Sequence, residues 1–238
     1  MRKIKGSNSY LRDQIRLNLA KAVLCVLIFG IILFGIMYWS VFNLQIDIIS
    51  LLGLVFLIVP AITAYYYLRK YHLYNGGRQG EKRVNRLLGS SLSDDYYLIN
   101  DLYLQGSRGD IDHILLAPNG IFVLETKNWR GKITCNGDKW NRAGKGDLPS
   151  SPSRQVKWNA SRIKRIIDNS PTLRTLGIWV EGIVVLTNKH TTLNLNSPTV
   201  PILKLDHLLK YIKNHESATT LSREQLEALG KEIIKQKA

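Results

Sequence analysis

The chain has 238 residues, with 33 Lys and Arg against 18 Asp and Glu, a formal charge of +15, and only two Cys. Two cysteines exclude a disulfide-stapled scaffold, and the lack of a Cys/His cluster gives no sign of a zinc module. Without a Gly-rich phosphate loop or a G-x-S-x-G elbow, the sequence is neither a P-loop ATPase nor a serine hydrolase of that type.

Residues 1–21 form a basic segment carrying Arg2, Lys3, Lys5, Arg12, Arg16 and Lys21. From Ala22 to Ile46 no charged residue occurs, and after Asp47 a second uncharged run extends from Ile48 to Leu68. A hydrocarbon core about 30 Å thick needs roughly 20 helical residues, so the sequence predicts two transmembrane helices at about 22–42 and 48–68. The first run exceeds the apolar region of about 7–15 residues of a cleaved signal peptide, so the anchor is expected to be retained. Gly30, Gly35 and Gly53 offer small faces for close helix approach, and Pro60 is placed to kink the second helix. Lys and Arg precede the first run, Arg69 and Lys70 follow the second, and the connection between the runs has none. The positive-inside rule then predicts both termini in the cytoplasm of a two-pass protein of the cell membrane.

Beyond the anchor, Tyr71–Gly80, with three glycines, reads as a linker (71–80) into a helix whose apolar stripe is Val84, Leu87 and Leu88. Strands are predicted at Tyr96–Leu104, Ile111–Ala117, Ile121–Thr126 and Lys132–Cys135. The polar segment Gly137–Ser153 reads as a loop, and Gln155–Ile167 as a helix. A buried strand follows at Ile178–Leu186 and a weaker one at Val200–Leu205. Two helices close the chain, near Asp206–Asn214 and from Ser222, where Ser222 and Gln225 fit a capping box. Residues 81–205, completed or extended by the helices of 206–238, therefore make an α/β domain, a mixed sheet flanked by helices.

Asn119-Gly120 between two apolar strands is a hairpin signal. With these two residues as the loop, paired positions sum to 239, setting Asp112 opposite Lys127 and Glu125 diagonal to Asp112. Side chains alternate with period two, so Asp112, Glu125 and Lys127 share one face, and a four-residue loop keeps the same parity. Two carboxylates and an ammonium on an apolar strand pair are costly unless they bind or pair with something. Such oxygen ligands suit Mg²⁺ or Mn²⁺, beside which Lys127 would orient a water or stabilise a transition state. The spacing alone equally fits a plain Asp112–Lys127 ion pair with Glu125 solvated.

The surrounding blocks are more specific. Gly77-Arg78-Gln79-Gly80-Glu81, Gly109-Asp110-Ile111-Asp112-His113-Ile114 and Gly120-Ile121-Phe122-Val123-Leu124-Glu125-Thr126-Lys127-Asn128, followed by Gly131, resemble the nuclease-related domain (NERD) family of the PD-(D/E)XK, restriction-endonuclease-like superfamily. The resemblance covers about residues 76–190, including Gln155 and the late strand. It implies a restriction-endonuclease-like fold and metal-dependent phosphodiester hydrolysis, with Asp112, Glu125 and Glu81 as metal and catalytic carboxylates. Lys127 would be the catalytic lysine, and Gln155 a helix residue near the site. Ile111 stands where the superfamily name has Pro.

Residues 71–238 hold 25 basic and 16 acidic residues, a net +9. Such an excess suits DNA or another polyanion, an anionic lipid surface, or simply a solvated basic face. Arg130, Lys132, Arg154, Lys157 and Arg162 are the candidate phosphate contacts. Trp129 and Trp140 fit either base stacking or a core position. His113 points to the face opposite Asp112. The alternative to a nuclease is an inactive nucleic-acid-binding or membrane-scaffold module on the same fold.

Overall fold

The computed structural model describes residues 1–5, 10–43, 48–106 and 109–237. The chain divides into two compact units, one of residues 1–8 with 79–238 and the other of residues 9–78. Of the connection expected between the two apolar runs, around Val41–Asp47, residues 44–47 lie outside the described residues.

The unit of residues 9–78 is helical. Helix α1 spans Tyr10–Asn43, α2 spans Ile48–Phe56, and α3 begins at Ile58. Leu11–Phe42 and Leu52–Ser91 are long and apolar enough to cross a bilayer. Their apolar side chains face outward, Ile31 at 72% and Phe42 at 75% exposure. Exposed apolar area of this extent is rare on packed domains. The second run is interrupted at Leu57, three residues before Pro60. Pro60 has no N–H for the carbonyl of Phe56, and Leu57 instead donates to Leu54 O at 3.2 Å. Of the three small faces, only Gly53 meets another helix, where an added Cβ would stand 2.8 Å from Ile36 Cγ1. Gly30 and Gly35 have nothing within 4 Å.

Helix α3 runs unbroken to Ser91, so the expected 71–80 linker is helix. Gly76, Gly77 and Gly80 each weaken a helix by about 1 kcal/mol relative to Ala. Tertiary packing overrides that cost at Gly80, where a Cβ would lie 2.8 Å from Thr187 Oγ1 and 3.0 Å from Asn128 Cβ. Only glycine lets the helix approach the sheet there. Val84 and Leu88 are then fully buried, as the apolar stripe predicted.

A six-stranded mixed sheet forms the centre of the other unit. Its strands are β1 (Arg2–Lys5), β2 (Tyr97–Leu102), β3 (Ile111–Ala117), β4 (Gly120–Lys127), β8 (Val180–Leu186) and β10 (Ile202–Lys204), in that order. A second sheet carries β5 (Gly131–Asn136), β6 (Lys139–Arg142), β7 (Gly146–Asp147) and β9 (Thr191–Asn196), ordered β7-β6-β5-β9. Helices α4 (Pro152–Asn169), α5 (Leu205–Lys213) and α6 (Arg223–Lys235) complete it. Apolar cores lie on both faces of the larger sheet. Ile114, Leu116, Ile121 and Val123 pack with α4 and α6 residues such as Ile163 and Leu229. Leu115, Phe122 and Leu124 pack with Val84 and Leu88 of α3 and Leu208 of α5. Burial on both faces explains why β3 and β4 read as continuous apolar runs.

Three elements depart from expectation. Strand β1 lies in the segment read as a basic N-terminus and pairs in parallel with β2, Arg2 beside Tyr97. Segment 137–153 is not a plain loop, because Lys139–Arg142 pairs back on β5 and buries Trp140. Strand β9, polar and largely exposed, was not anticipated. Ser222 and Gln225 do form the capping box.

The carboxylate site

The β3–β4 hairpin brings the acidic residues together in a register that differs from the expected one. Ala117 pairs with Gly120 and His113 with Leu124, so paired positions sum to 237 and the two-residue turn is Pro118-Asn119. Proline is pre-set for the second position of a β-turn. Asn119 is recruited elsewhere, donating from Nδ2 to Ile212 O at 2.7 Å and to His215 O at 3.0 Å at the end of α5. The slip is two residues, so parity survives, and Asp112, Glu125 and Lys127 share the face that α4 and α6 cover. Continuing the register sets Asp112 opposite Glu125, not Lys127.

Local bonds fix these groups. Thr126 N–H donates to Asp112 Oδ2 at 2.6 Å. Lys127 Nζ donates to Glu125 Oε1 at 2.6 Å. Glu125 is 2% exposed, and its second oxygen, Oε2, is buried with no hydrogen-bond partner among the described residues. Burial pushes the Glu125 carboxyl above the ordinary range, against the pull of Lys127. Burial, then the charges of Glu125 and Glu81, hold the Asp112 carboxyl well above it. Burial also opposes the Lys127 ammonium, but Glu125 and Asp112 outweigh it and raise the lysine above its usual value.

Glu81 joins the group from α3. Its carboxyl is raised to about 7 by burial, then by the charges of Asp101, Glu125 and Asp110. Proximity to those charges places Glu81 with the strand residues, and Gly80, next to it, permits the approach. Asp110 stands just before β3, partly buried, with its carboxyl raised by burial.

Asp101 was missed by sequence reasoning. It lies in β2 between Asn100, paired with His113, and Leu102, paired with Ile111, and its charge helps to raise Glu81. Its backbone is left-handed, φ 52°, which is strained for a residue other than glycine. Nothing in the sequence distinguishes this Asp from a strand-edge residue. His113 lies on the opposite face, 1% exposed, with Nδ1 2.7 Å from Asn100 Oδ1. Burial depresses it to about 3, so it is a neutral buried histidine.

Gln155 is exposed in the first turn of α4, and among the described residues its side chain makes no hydrogen bond to the carboxylates. Because α4 links the parallel strands β4 and β8, its N-terminal turn returns toward the C-terminal end of β4. Trp140 Nε1 donates to Ser153 Oγ in that turn at 2.9 Å. Trp129 stacks edge-on with Trp140 at 5.9 Å, and Lys127 Nζ lies 6.0 Å from the Trp129 ring centre. The tryptophans therefore brace the site. Trp140 is core, not a free stacking platform.

The expected phosphate contacts scatter. Arg130 and Lys132 are exposed beside β5. Lys157 Nζ donates to Asp138 Oδ2 at 2.7 Å, and Arg154 Nε lies 3.8 Å from the same atom. Arg162 donates to Gln105 O and stacks on Trp158 at 4.7 Å.

Residues 76–187 match the family described as nuclease-related domain, NERD, so this segment carries the fold its motifs implied. An uncharacterized protein of Bacillus anthracis is 42% identical over 60 residues, 24% of this chain. The chain spans 28% of the length of that curated relative. No solved structure is a significant match.

Proposed function

We propose that this nuclease-related chain is a membrane-anchored, Mg²⁺- or Mn²⁺-dependent phosphodiesterase acting on DNA at the cytoplasmic face. The observation that carries the reading is Glu125 Oε2, a buried carboxylate oxygen with no partner, in a group of mutually repelling carboxylates. Orphaned buried oxygens are rare, and a hard cation with carboxylate and water ligands would satisfy this one. Asp112, Glu125 and Glu81 are the residues that would hold it. When bound, the ion would lower the pKa of a water and offset charge on the phosphodiester.

The remaining work belongs to the chain itself. Lys127, charged and anchored on Glu125 Oε1, orients the attacking water and stabilises negative charge developing on phosphate oxygens. Glu81, raised to about 7, can hold or release a proton at neutral pH. Thr126 N–H fixes one Asp112 oxygen and leaves the other for the reaction.

The membrane reading draws on the outward apolar faces of α1 and α3 and on Arg12, Arg16, Lys21, Arg69 and Lys70 flanking them. Strand β1 adds a topological argument. The chain leaves the sheet-bearing unit after residue 8 and re-enters it at residue 79. That both ends of residues 9–78 join one unit supports an even number of membrane crossings. The flanking cations favour the cytoplasm for that side.

A second reading, an inactive nucleic-acid-binding or scaffold module, is favoured by one observation. Among the described residues no three His, Cys, Asp or Glu side chains are already arranged to hold a metal ion. The deciding experiment uses the full chain in nanodiscs with labelled DNA, with Mg²⁺ or with EDTA, alongside Asp112→Asn. Metal-dependent cleavage lost in the variant supports the nuclease. Salt-dependent binding without any cleavage supports the module.

A further inference from the structure

On the face shared by α4 and α6, a polar cleft of about 660 Å³ opens between α4, the end of α6 and the segment after β2. Arg162 and Arg165 of α4 line it, with Gln105, Asn169, Glu232 and Gln236. Glu232 is the one carboxylate among these lining residues, and it pairs with Lys235 at 3.0 Å. Among the described residues neither guanidinium forms a salt bridge to a carboxylate. Arg162 is held rigidly, with Nη2 on Gln105 O and its plane over the Trp158 ring. Among the described residues its buried Nη1 has no hydrogen-bond partner. Burial, then repulsion from Arg165, pushes the Arg162 guanidinium below its usual value, as expected for adjacent uncompensated cations.

Two adjacent arginines with three side-chain amides lining one cleft supply the kind of donors that planar forks present to phosphate. We infer that this cleft is an oxyanion-binding site that takes a backbone phosphate of the nucleic acid, held by Arg162 and Arg165. The inference rests on the nuclease reading for the identity of its ligand. Position supports it. Leu104, in the cleft wall, is three residues from Asp101, at most about 11 Å of extended chain. Phosphates of one DNA strand advance about 3.4 Å each along the helix axis, so the wall lies within roughly three nucleotides of Asp101. A phosphate in the cleft would thus fix the register of the strand across Asp112 and Glu125. Arg154 and Lys157, engaged with Asp138, are not needed for this role.

The test measures binding apart from cleavage. Full-length protein in nanodiscs, in EDTA, is titrated with a fluorescein-labelled oligonucleotide across a salt series, and separately with inorganic phosphate. Arg165→Gln removes a charge without touching the Gln105 or Trp158 contacts. Its slope of log K against log salt falls by about one. Arg162→Lys keeps the charge but loses the fork, so affinity drops with little change in slope. Wild-type affinity and slope in both variants would overturn the proposal. Loss of inorganic phosphate binding with oligonucleotide binding unchanged would also overturn it, assigning the cleft to free phosphate. Mg²⁺-dependent cleavage is read in parallel. Its absence from wild type, with the slope changes intact, rejects the nuclease reading while the cleft stands.

Discussion

Lys127 Nζ sits 2.6 Å from Glu125 Oε1, while Glu125 Oε2 is buried without a partner. One oxygen of the same carboxylate is engaged by Lys127, and the other has no partner among the described residues.

Removing Lys127 leaves that carboxylate buried and unpaired. Lys127→Ala is expected to destabilise the protein by about 3 kcal/mol and to cut Mg²⁺-dependent cleavage by at least about 100-fold. Glu125→Gln is expected to abolish cleavage while holding or raising the melting temperature without metal, since it relieves like-charge repulsion. Thermal melts beside a cleavage assay check both, and equal destabilisation by the two variants would reject the assignment.

Glu81 gives a pH signature. Its folded-state value of about 7 exceeds the ordinary 4.5, so the folded protein binds the proton more tightly. The resulting stability is full below about 4.5 and is lost as pH rises through about 7. His113 acts oppositely. Its value of about 3 gives stability that is present above 6.5 and lost as pH falls toward 3. Between about pH 6.5 and 7.5 the glutamate dominates. The metal-free melting temperature should fall there with rising pH in wild type, and less in Glu81→Gln. Added Mg²⁺ should restore it at pH 8, because a cation replaces the protons.

Two glycines in the same helix should respond with opposite sign. Gly80→Ala puts a Cβ 2.8 Å from Thr187 Oγ1 and 3.0 Å from Asn128 Cβ, and is expected to cost about 1–3 kcal/mol. It should also lower cleavage by displacing Glu81. Gly76→Ala meets nothing within 4 Å and is expected to be neutral or to stabilise by up to about 1 kcal/mol. Chemical denaturation of both variants distinguishes a packing contact from a helix-propensity effect.

The N-terminal strand predicts the fate of truncations. The Met1 ammonium donates to Asp94 Oδ1 at 2.7 Å and to Leu92 O at 3.2 Å, and Arg2 N donates to Tyr96 O at 2.9 Å. A fragment starting after residue 70 lacks this strand. It should melt lower than the full chain and show faster hydrogen exchange along β2 than along β4. Identical exchange in the two proteins would remove β1 from the fold.

Topology follows from the same strand. Reporters fused before Met1 and after Lys237 are expected to report the same side of the membrane, the cytoplasm. Opposite sides would break the β1–β2 pairing.

The sequence by itself determined the apolar helices, the strand run from β2 to β4, the late buried strand β8, the capping box at Ser222 and the parity of the carboxylate face. Each follows from local patterning, whether uninterrupted apolar length, alternation of side chains or turn chemistry. The motif residues Glu81, Asp112, Glu125 and Lys127 were legible for the same reason, since their blocks stand in order along the chain. Only the tertiary structure decided the register, because Asn119 is drawn to the end of α5, 93 residues away along the chain. It alone turned the glycine-bearing 71–80 into helix, since the space Gly80 vacates is filled by Thr187 and Asn128. Strand β1 forms only against β2, nearly a hundred residues later, and no pattern in Arg2–Lys5 announces it. Asp101 joins the site through its charge on Glu81, and the burial of Glu125 is set by packing around the sheet. Long-range packing sets these features, and a one-dimensional pattern carries no record of it.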